Sequence, residues 1–372
     1  MKKASKKIKI LVIMPTLNKC GGIESFYFNY YVHFSNEFSI DFIVHESDSE
    51  EYRKIIKEKK DNLYIFDKFN LHNFSKIKKR IKNFFKENHD YDIVHCQMAN
   101  AAFLYNKYAK KYGIKTRIIH SHQCKYADTF SHSIRNIPLI KIGKKYSTHF
   151  FSCGKDAGKF MFKNKDFTII NNAIDAERFK YKKEERLEIR NKLHLKDEIV
   201  IGNIGRFVPQ KNQIFLIDIM KRLDDSSKNY KLLLIGNGEL KNSILNSVSE
   251  SRLSDRVIFI DSTDEIEKYY SAMDIFALPS LYEGLPVVGI EAQYSNLPCL
   301  FSKNITQEVK ISSNSFFLGL EDTDEWVNTI KGIKIENRSQ QIVSDKFDIK
   351  IKAKELMDIY IGLVKNNSER SL

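Results

Sequence analysis

Two glutamates eight positions apart, Glu283 and Glu291, are the strongest candidates for ligand binding in this sequence. Glu283 falls in the loop after a predicted strand, and Glu291 follows in a predicted helix whose first turn holds Pro286. Carboxylates accept hydrogen bonds from vicinal sugar hydroxyls, and amides at a helix N-terminus, here those of Gly284 and Leu285, bind phosphate. The pattern predicts a site for a sugar phosphate; the alternative is an acidic helix start without a substrate.

Two cations, Arg206 and Lys211, follow another predicted strand. Gly205 and Arg206 end that strand, and Lys211 comes five residues after Arg206 at a predicted helix start. Arginine offers phosphate oxygens a planar fork, and lysine offers them a point charge. Each residue alone is unremarkable in a basic protein, but their position after a strand predicts that they neutralise a diphosphate.

Two histidines, His120 and His122, stand at the end of a third predicted strand. Residues two apart on an extended chain point to the same side. The pair would supply half of a metal site, but no second cluster at a recognisable spacing supplies the other ligands, so no zinc is expected. The position favours hydrogen bonds to a polar substrate, against the alternative of two ordinary surface histidines.

Two glycines, Gly21 and Gly22, follow the first predicted strand. Glycine lets backbone amides approach a ligand closely, and the start of the next helix attracts anions. The alternative is a tight loop without a ligand. The G-x-G-x-x-G fingerprint is absent, which argues against a nicotinamide enzyme.

Short apolar runs alternate with helical patterns, and each candidate residue comes just after such a run. Runs of this length that are rich in isoleucine and valine predict buried parallel strands. Strands alternating with helices predict an α/β fold with doubly wound sheets. The predicted strands are residues 8–14, 39–45, 62–66, 91–96 and 116–120, then 199–204, 231–235, 257–260 and 274–278.

The chain length of 372 residues exceeds what one hydrophobic core usually fills and predicts two domains. The pattern restarts after the charged stretch 178–198. We therefore predict Rossmann-like domains over residues 1–173 and 174–347, followed by a helix within 348–372. Ligands of open parallel sheets bind beyond the carboxyl ends of the strands, so two such domains facing each other predict a ligand site in the cleft.

The net charge of +14 is concentrated in the N-terminal half. Residues 1–175 contain 32 Lys and Arg against 17 Asp and Glu, whereas residues 176–372 contain 29 against 30. This asymmetry predicts an anionic partner, either nucleic acid or an anionic membrane surface. The alternative is a generally lysine-rich proteome. A nucleic-acid partner is not expected, because no nucleic-acid-binding motif is present.

Residues 74–86 form a basic amphipathic pattern, with apolar positions on one helical face and lysines around it. Such a helix lies either in a membrane interface or against a protein core, and the sequence leaves both possibilities open. Lysines within 107–115 and 141–145 favour docking to anionic lipid. The sequence contains no run of about 18 consecutive apolar residues, so we expect no membrane-spanning helix. The odd number of cysteines, without a C-x-x-C pair, favours a reducing cytoplasm.

Four motifs together resemble retaining glycosyltransferases of family 4, which have the GT-B fold: Gly-Gly-x-Glu at 21–24, His-Ser-His at 120–122, Gly-Arg-x4-Lys-Asn at 205–212 and Glu-x7-Glu at 283–291. Within that family, the chain resembles the subgroup of bacterial exopolysaccharide and capsule transferases. The resemblance implies transfer of a hexose or N-acetylhexosamine from a nucleotide sugar, by family habit a UDP-sugar. It also implies that the last helix crosses back to the N-terminal domain, which binds the acceptor.

The resemblance further implies a role for each candidate residue. Arg206 and Lys211 would neutralise the donor diphosphate. Glu291 would bind the ribose hydroxyls. Glu283, Gly284 and Leu285 would contact the transferred sugar or its phosphate. His122, with His120 as the alternative, would stand beside the reacting sugar, and Gly21 and Gly22 would contact phosphate or acceptor.

No metal or other cofactor is expected, because fixed cations and amides would meet the charge of the leaving group. The implied acceptor is lipid-linked or a polysaccharide, and the implied location is cytoplasmic, peripheral on the inner face of the cell membrane. The alternative function is a nucleotide-sugar epimerase with the same two-domain architecture.

Overall fold

The computed structural model describes residues 7–18, 22–70, 72–123, 126, 130–223, 229–335, 338 and 344–369. The chain divides into two compact units: an N-terminal domain of residues 1–173 and 349–372, and a C-terminal domain of residues 174–348. In each domain, the described strands form one parallel sheet with helices on both faces. The predicted α/β fold with two doubly wound domains is confirmed.

The N-terminal sheet has the strand order β3-β2-β1-β4-β5-β6-β7. The direction of winding reverses between β1 and β4, which makes this the topological switch point where ligands of such sheets bind. Its strands are β1 (Ile8–Met14), β2 (Phe38–Val44), β3 (Leu63–Ile65), β4 (Ile93–Cys96), β5 (Thr116–Ser121), β6 (His149–Ser152) and β7 (Thr168–Ile169). Its first helices are α1 (Gly22–Tyr31), α2 (Glu50–Glu58), α3 (Phe74–Glu87), α4 (Ala102–Lys111), α5 (Phe130–Tyr146) and α6 (Lys155–Phe162).

The C-terminal sheet has the order β10-β9-β8-β11-β12-β13, with its switch point between β8 and β11. Its strands are β8 (Ile199–Ile204), β9 (Tyr230–Ile235), β10 (Val257–Ile260), β11 (Ile275–Leu278), β12 (Cys299–Ser302) and β13 (Ser315–Leu318). Its helices are α7 (Lys183–Lys192), α8 (Gln213–Arg222), α9 (Lys241–Glu250), α10 (Ile266–Ala272), α11 (Val287–Tyr294) and α12 (Thr323–Gly332).

Strand β1 shows why the apolar runs become central strands. Leu11 and Ile13 belong to the core on one face of the sheet, whereas Ile10, Val12 and Met14 belong to the core on the other. Successive side chains of a strand point to opposite faces. A strand covered by helices on both sides is therefore apolar along its buried part, here residues 10–14.

The last helix, α13 (Ile349–Glu369), is part of the N-terminal domain. Ile349, Ala353, Leu356 and Tyr360 are buried in the same core as α1 and β1. Their spacing of three or four residues places them on one face of the helix. That face completes the core of the N-terminal domain.

Candidate functional site

In the C-terminal domain, the loops after β8 and β11 meet at the switch point of the sheet. Lys211 Nζ lies 2.6 Å from Oε1 of Glu283, and the hydroxyl of Ser280 donates to the same oxygen at 2.8 Å. The side chains of Lys211 and Glu283 are only 17% and 10% exposed. Two residues predicted from separate motifs therefore form one shielded ion pair.

Backbone contacts hold these loops in place. The Leu281 N–H donates to the carbonyl of Gln210 at 2.8 Å, and Gln210 Nε2 donates to the carbonyl of Tyr282 at 2.9 Å. Gly236 has φ +144°, and a Cβ added there would lie 2.1 Å from the carbonyl oxygen of Gly205. Only glycine allows this close approach between the loops after β8 and β9.

Arg206 follows β8 directly and is exposed. Its backbone carbonyl accepts from Gln213 Nε2 at 3.1 Å, but its guanidinium has no hydrogen-bond or ion-pair partner within the described part of the chain. The neighbouring Gly205 lies against the side chain of Lys211, so the two cations occupy the same loop. Arg206 is therefore available to an anionic ligand without first breaking a contact.

Glu291 lies on α11 and accepts a hydrogen bond from the hydroxyl of Tyr270 at 2.7 Å through Oε2. Burial raises the pKa of Glu291 from 4.5 to about 7, although Tyr270 and the charge of Arg178 oppose this shift. Arg178 is itself paired with Glu267 at 2.8 Å. The carboxylate is thus held in place by one donor and is only half ionised near neutral pH.

The start of α11 differs slightly from the sequence-based expectation. Pro286 stands at the N-cap, immediately before the first helical residue, and not in the first turn. Gly284 is exposed, and a Cβ added there would meet no atom within 4 Å. The first amides of a helix lack intrahelical acceptors, so this open helix start, with Gly284 and Leu285 before it, is suited to an anion.

The N-terminal domain contains a cavity of about 540 Å³ at the carboxyl ends of its central strands. This volume is within the range of about 300–1,000 Å³ that is usual for small-molecule sites. The lining comes from both sides of the β1/β4 switch point and includes Gly22, Gln97, Asn100, His120, His122 and Arg135. The wall is largely polar, as a site for a hydroxylated ligand requires.

The two predicted histidines lie together in this wall. The rings of His120 and His122 stack with centroids 4.2 Å apart and planes 20° apart. His120 is 1% exposed, so it is not an ordinary surface histidine. Burial lowers the pKa of His122 to about 3 and lowers that of His120 as well, which keeps both rings neutral near pH 7.

Sequence reasoning missed His95 and Gln97, which stand two positions apart at the carboxyl end of β4. His95 Nε2 lies 3.1 Å from Nδ1 of His120, and His95 Nδ1 lies 2.6 Å from the hydroxyl of Tyr360. Gln97 Oε1 lies 2.6 Å from His122 Nε2. The available signal was their position: both stand at the end of the strand that neighbours the histidine strand.

The glycine motif is described only in part, because Gly21 lies outside the described residues. Gly22 begins α1 and lines the cavity. Glu24 is 3% exposed and accepts a hydrogen bond from the hydroxyl of Thr16, which supports the turn from inside. As for metal binding, no group of three or more His, Cys, Asp or Glu in the described ranges is arranged to hold an ion.

The structure decides between the two interpretations of the basic amphipathic segment. Ile77, Ile81 and Phe85 of α3 are fully buried in the core, and Phe84 is 8% exposed. The helix is therefore packed on the protein with its lysines outside, and its apolar face is not available to a membrane. Among the described helices, none has the length and apolar character needed to cross a bilayer.

Residues 185–342 match the glycosyl transferases group 1 family. A putative glycosyltransferase of Bacillus subtilis, EpsF, is 28% identical over 82% of each chain. A UDP-Gal:alpha-D-GlcNAc-diphosphoundecaprenol alpha-1,3-galactosyltransferase of Escherichia coli is 26% identical over 74% of this chain and 76% of its own. The capsular polysaccharide biosynthesis glycosyltransferase CapH of Staphylococcus aureus is 27% identical over 73% and 77%.

The fold has a close counterpart among solved structures. The HepE protein of Anabaena, crystallised in complex with UDP, superimposes with a TM-score of 0.73 at 16% identity, over 98% of this chain and 100% of that one. Nothing in the family match or in these relatives supports the epimerase alternative. The match over residues 185–342, the glycosyltransferase relatives and the shared fold together identify the chain as a glycosyltransferase with the two-domain GT-B fold.

Proposed function

We propose that the chain is a retaining, metal-independent transferase of family 4 that moves a hexose or N-acetylhexosamine from a UDP-sugar to a lipid-linked acceptor in polysaccharide synthesis. The observation that supports this most is the arrangement of Arg206, the Lys211–Glu283 pair and Glu291 around the β8/β11 switch point. The E. coli relative is named for a UDP-sugar donor and a lipid-diphosphate acceptor, and the S. aureus relative for capsular polysaccharide.

The donor binds at the C-terminal switch point through three kinds of group. Arg206 and Lys211 meet the diphosphate, and the amides at the start of α11, near Gly284 and Leu285, add hydrogen bonds to phosphate or sugar. The carboxylate of Glu291 accepts from the ribose hydroxyls. Tyr270 occupies its Oε2, which leaves Oε1 for that role.

The Lys211–Glu283 pair gives the donor site a preformed balance of charge. When the diphosphate arrives, Lys211 gains a second anionic partner, and Glu283 is held beside it to accept from a sugar hydroxyl. Because both side chains are already ordered and shielded, little reorganisation is needed during the reaction.

The transfer breaks the bond between the anomeric carbon and the diphosphate oxygen. The acceptor hydroxyl attacks from the face that the diphosphate leaves, and its proton passes to the departing phosphate oxygen. The sugar passes through an oxocarbenium-like state, which needs no pair of catalytic carboxylates of the kind found in glycoside hydrolases. Fixed cations and amides stabilise the leaving group without a metal.

The acceptor binds in the cavity of the N-terminal domain. Gln97, Asn100 and His122 supply hydrogen-bonding groups, and Gly22 lets the backbone approach the ligand closely. His122 and His120 face the reacting sugar from the carboxyl end of β5. Neutral histidines hydrogen-bond to hydroxyl groups without attracting a second anion.

A lipid-linked acceptor is reached at the inner face of the cell membrane, and α5 is suited to that surface. Ile134 and Ile142 are 56% and 44% exposed, and Arg135, Lys141 and Lys145 are exposed on the same helix. Arg135 also lines the cavity. Exposed apolar residues among cations favour an anionic lipid surface, so the membrane contact lies next to the acceptor site.

Thermal unfolding with and without UDP tests the donor assignment. UDP at about one hundred times its dissociation constant stabilises the native state by about 2.7 kcal/mol, which raises the unfolding midpoint by a few degrees. We expect this increase for wild type and for Glu188→Gln, a surface control, and a much smaller increase for Glu291→Gln.

Two results would contradict the proposal. One is the absence of any shift with UDP-sugars or other nucleotide sugars in wild type. The other is an undiminished shift in Glu291→Gln, because that change removes the negative charge while it preserves an acceptor for Tyr270. Transfer to a membrane extract, followed by analysis of the anomeric configuration of the product, tests retention.

A further inference from the structure

We propose that Tyr360 and His95 are positioning residues that orient the proton of His120, so that His120 presents an N–H donor to the cavity. The three side chains form one buried chain of hydrogen bonds that runs from the C-terminal helix α13 through β4 to β5. We call this chain the Tyr360–His95–His120 relay.

The geometry of the relay is continuous. The hydroxyl of Tyr360 lies 2.6 Å from Nδ1 of His95, and Nε2 of His95 lies 3.1 Å from Nδ1 of His120. The two imidazole planes differ by only 4°, an arrangement compatible with an N–H···N bond between the rings. Tyr360 is fully buried, and the two histidines are each 1% exposed, so water does not compete for these bonds.

Each bond of the relay has only one direction once the first is known. A phenol is a much stronger acid than a neutral imidazole N–H, and a bare imidazole nitrogen is the stronger base, so Tyr360 donates to Nδ1 of His95. A neutral His95 then carries its proton on Nε2 and donates it to Nδ1 of His120. The proton of a neutral His120 is therefore on Nε2.

Burial supports the neutral state of both rings. It lowers the pKa of His95 to about 3 and also lowers that of His120, and the neighbouring His122 acts in the same direction. A charged His95 would carry a proton on Nδ1 and could no longer accept from Tyr360, and a charged His120 would carry a proton on Nδ1 and could no longer accept from His95.

The end of the relay points to a ligand. His120 Nε2 is buried and has no hydrogen-bond partner among the described residues, and His120 is one of the residues that line the cavity. Gln97 Nε2 is a second buried donor in the same wall without a partner there. An unsatisfied buried donor costs about 1–3 kcal/mol, so two of them on residues that line one cavity indicate that an oxygen acceptor completes the site.

That acceptor is an oxygen of the bound sugar, an assignment that rests on the proposed function. The tautomer of His120 does not rest on it. The role of α13 is then more than packing, because a hydroxyl near the end of the chain determines which nitrogen of a cavity histidine carries the proton.

Nitrogen-15 NMR of the full chain with labelled histidine tests the relay directly. In wild type we expect protonated Nε2 and bare Nδ1 for both His95 and His120. In Tyr360→Phe, which keeps the ring, we expect the His120 Nε2 resonance to move toward that of a bare nitrogen. The matched control is Tyr105→Phe, because Tyr105 is another buried tyrosine whose hydroxyl contacts a histidine, Nε2 of His45 at 3.0 Å.

Kinetics provide the second measurement. We expect Tyr360→Phe to lower kcat about tenfold, the effect of one lost hydrogen bond, with KM for the UDP-sugar changed less than about twofold. Tyr105→Phe should keep wild-type kcat. Equal losses in the two variants would show a general packing effect and would overturn the proposal.

A bare Nε2 on His120 in wild type, or an unchanged His120 spectrum in Tyr360→Phe, would also overturn it. If Tyr360→Phe does not fold, the wild-type spectrum still decides the matter. If wild type transfers no sugar from any donor, the proposed function fails, whereas the NMR result continues to decide the relay.

Discussion

The two domains have the same kind of sheet and the same kind of switch point, but they place different chemistry there. At the ends of β4 and β5, the N-terminal cavity is lined by the neutral groups His120, His122 and Gln97, with Arg135 of α5 elsewhere in the lining, although this half of the chain carries the excess positive charge. The C-terminal switch point carries the charged groups Arg206, Lys211 and Glu283, although that half is nearly neutral. The charge on the outside of a domain is therefore independent of the charge in its site.

Under the proposed function, this difference separates two tasks. A donor diphosphate carries charge that must be met in the transition state, so its site needs fixed ions. An acceptor hydroxyl needs orientation, which neutral hydrogen bonds provide. The exposed lysines Lys141 and Lys145 belong, in the proposed function, to the membrane-facing surface and not to the site.

The largest expected effect is the loss of catalysis when a charged group is removed from the C-terminal switch point. Arg206→Met removes the cation that has no described partner, so we expect kcat/KM to fall by about 10²–10³-fold, as for loss of one group that stabilises transition-state charge. The thermal midpoint should stay the same, because no intramolecular contact is lost. Steady-state kinetics and thermal unfolding check both statements.

Arg222→Met is the control for this prediction, since Arg222 forms an exposed ion pair with Asp324 on the same domain. A loss of activity of similar size in Arg222→Met, or a loss in Arg206→Met that follows a lowered midpoint, would contradict the assignment of Arg206.

The next largest effect concerns the pH dependence of stability, which should differ between the two domains. His95 and His122 have folded pKa values of about 3, below the unfolded value of 6.5, so their contribution to stability is present above pH 6.5 and is lost as pH falls. The loss is about 1.4 kcal/mol per pH unit for each histidine. Glu291 has a folded pKa of about 7, above its ordinary 4.5, so its contribution is full below pH 4.5 and is lost as pH rises toward 7.

The two domains should therefore respond to acid in opposite directions. Hydrogen exchange resolved by residue, at pH 5.5 and pH 8 and corrected for intrinsic rates, measures this. At pH 5.5 we expect weaker protection of β4 and β5 and stronger protection of α11 than at pH 8. Glu291→Gln should abolish the change in α11, where Glu291 contributes at most about 3 kcal/mol, and should leave β4 and β5 as in wild type. Parallel changes in both domains would refute the prediction.

The smallest effect concerns the surface. One lysine near an anionic bilayer contributes about 1 kcal/mol, so Lys141→Gln should weaken binding to vesicles containing anionic lipid by about fivefold. Lys192→Gln, an exposed lysine of α7 in the C-terminal domain, is the control and should bind as wild type. Co-sedimentation that does not depend on anionic lipid would remove the case for membrane docking.

Sequence reasoning predicted the central strands because their cause is local. A strand such as β1 is buried on both faces, which requires consecutive apolar residues, and such a run is visible in the local sequence. The missed strands, β6, β7, β12 and β13, have two to four residues and few isoleucines or valines. The segment around α3 stayed ambiguous because a helix buried against a core and one lying in a membrane require the same pattern.

The candidate site shows the same limit at the level of single residues. Glu291, Arg206 and the histidine pair were predicted from their position after strands. The partnership of Lys211 with Glu283 joins residues 72 positions apart, and that of His95 with Tyr360 joins residues 265 apart. Only the packing of sheet and helices brings such residues together, so no spacing in the sequence indicates them.

The placement of α13 also has a consequence for the order in which the protein is made. The N-terminal domain lacks its last core helix until the ribosome has added residues 174–348, which takes about 10–35 s at ~5–20 residues per second. During that time the apolar surface meant for Ile349, Ala353 and Leu356 is open to water or to a chaperone. Tyr360 is made after all of these, so a nascent or truncated chain cannot form the Tyr360–His95–His120 relay before the C-terminal domain has been synthesised.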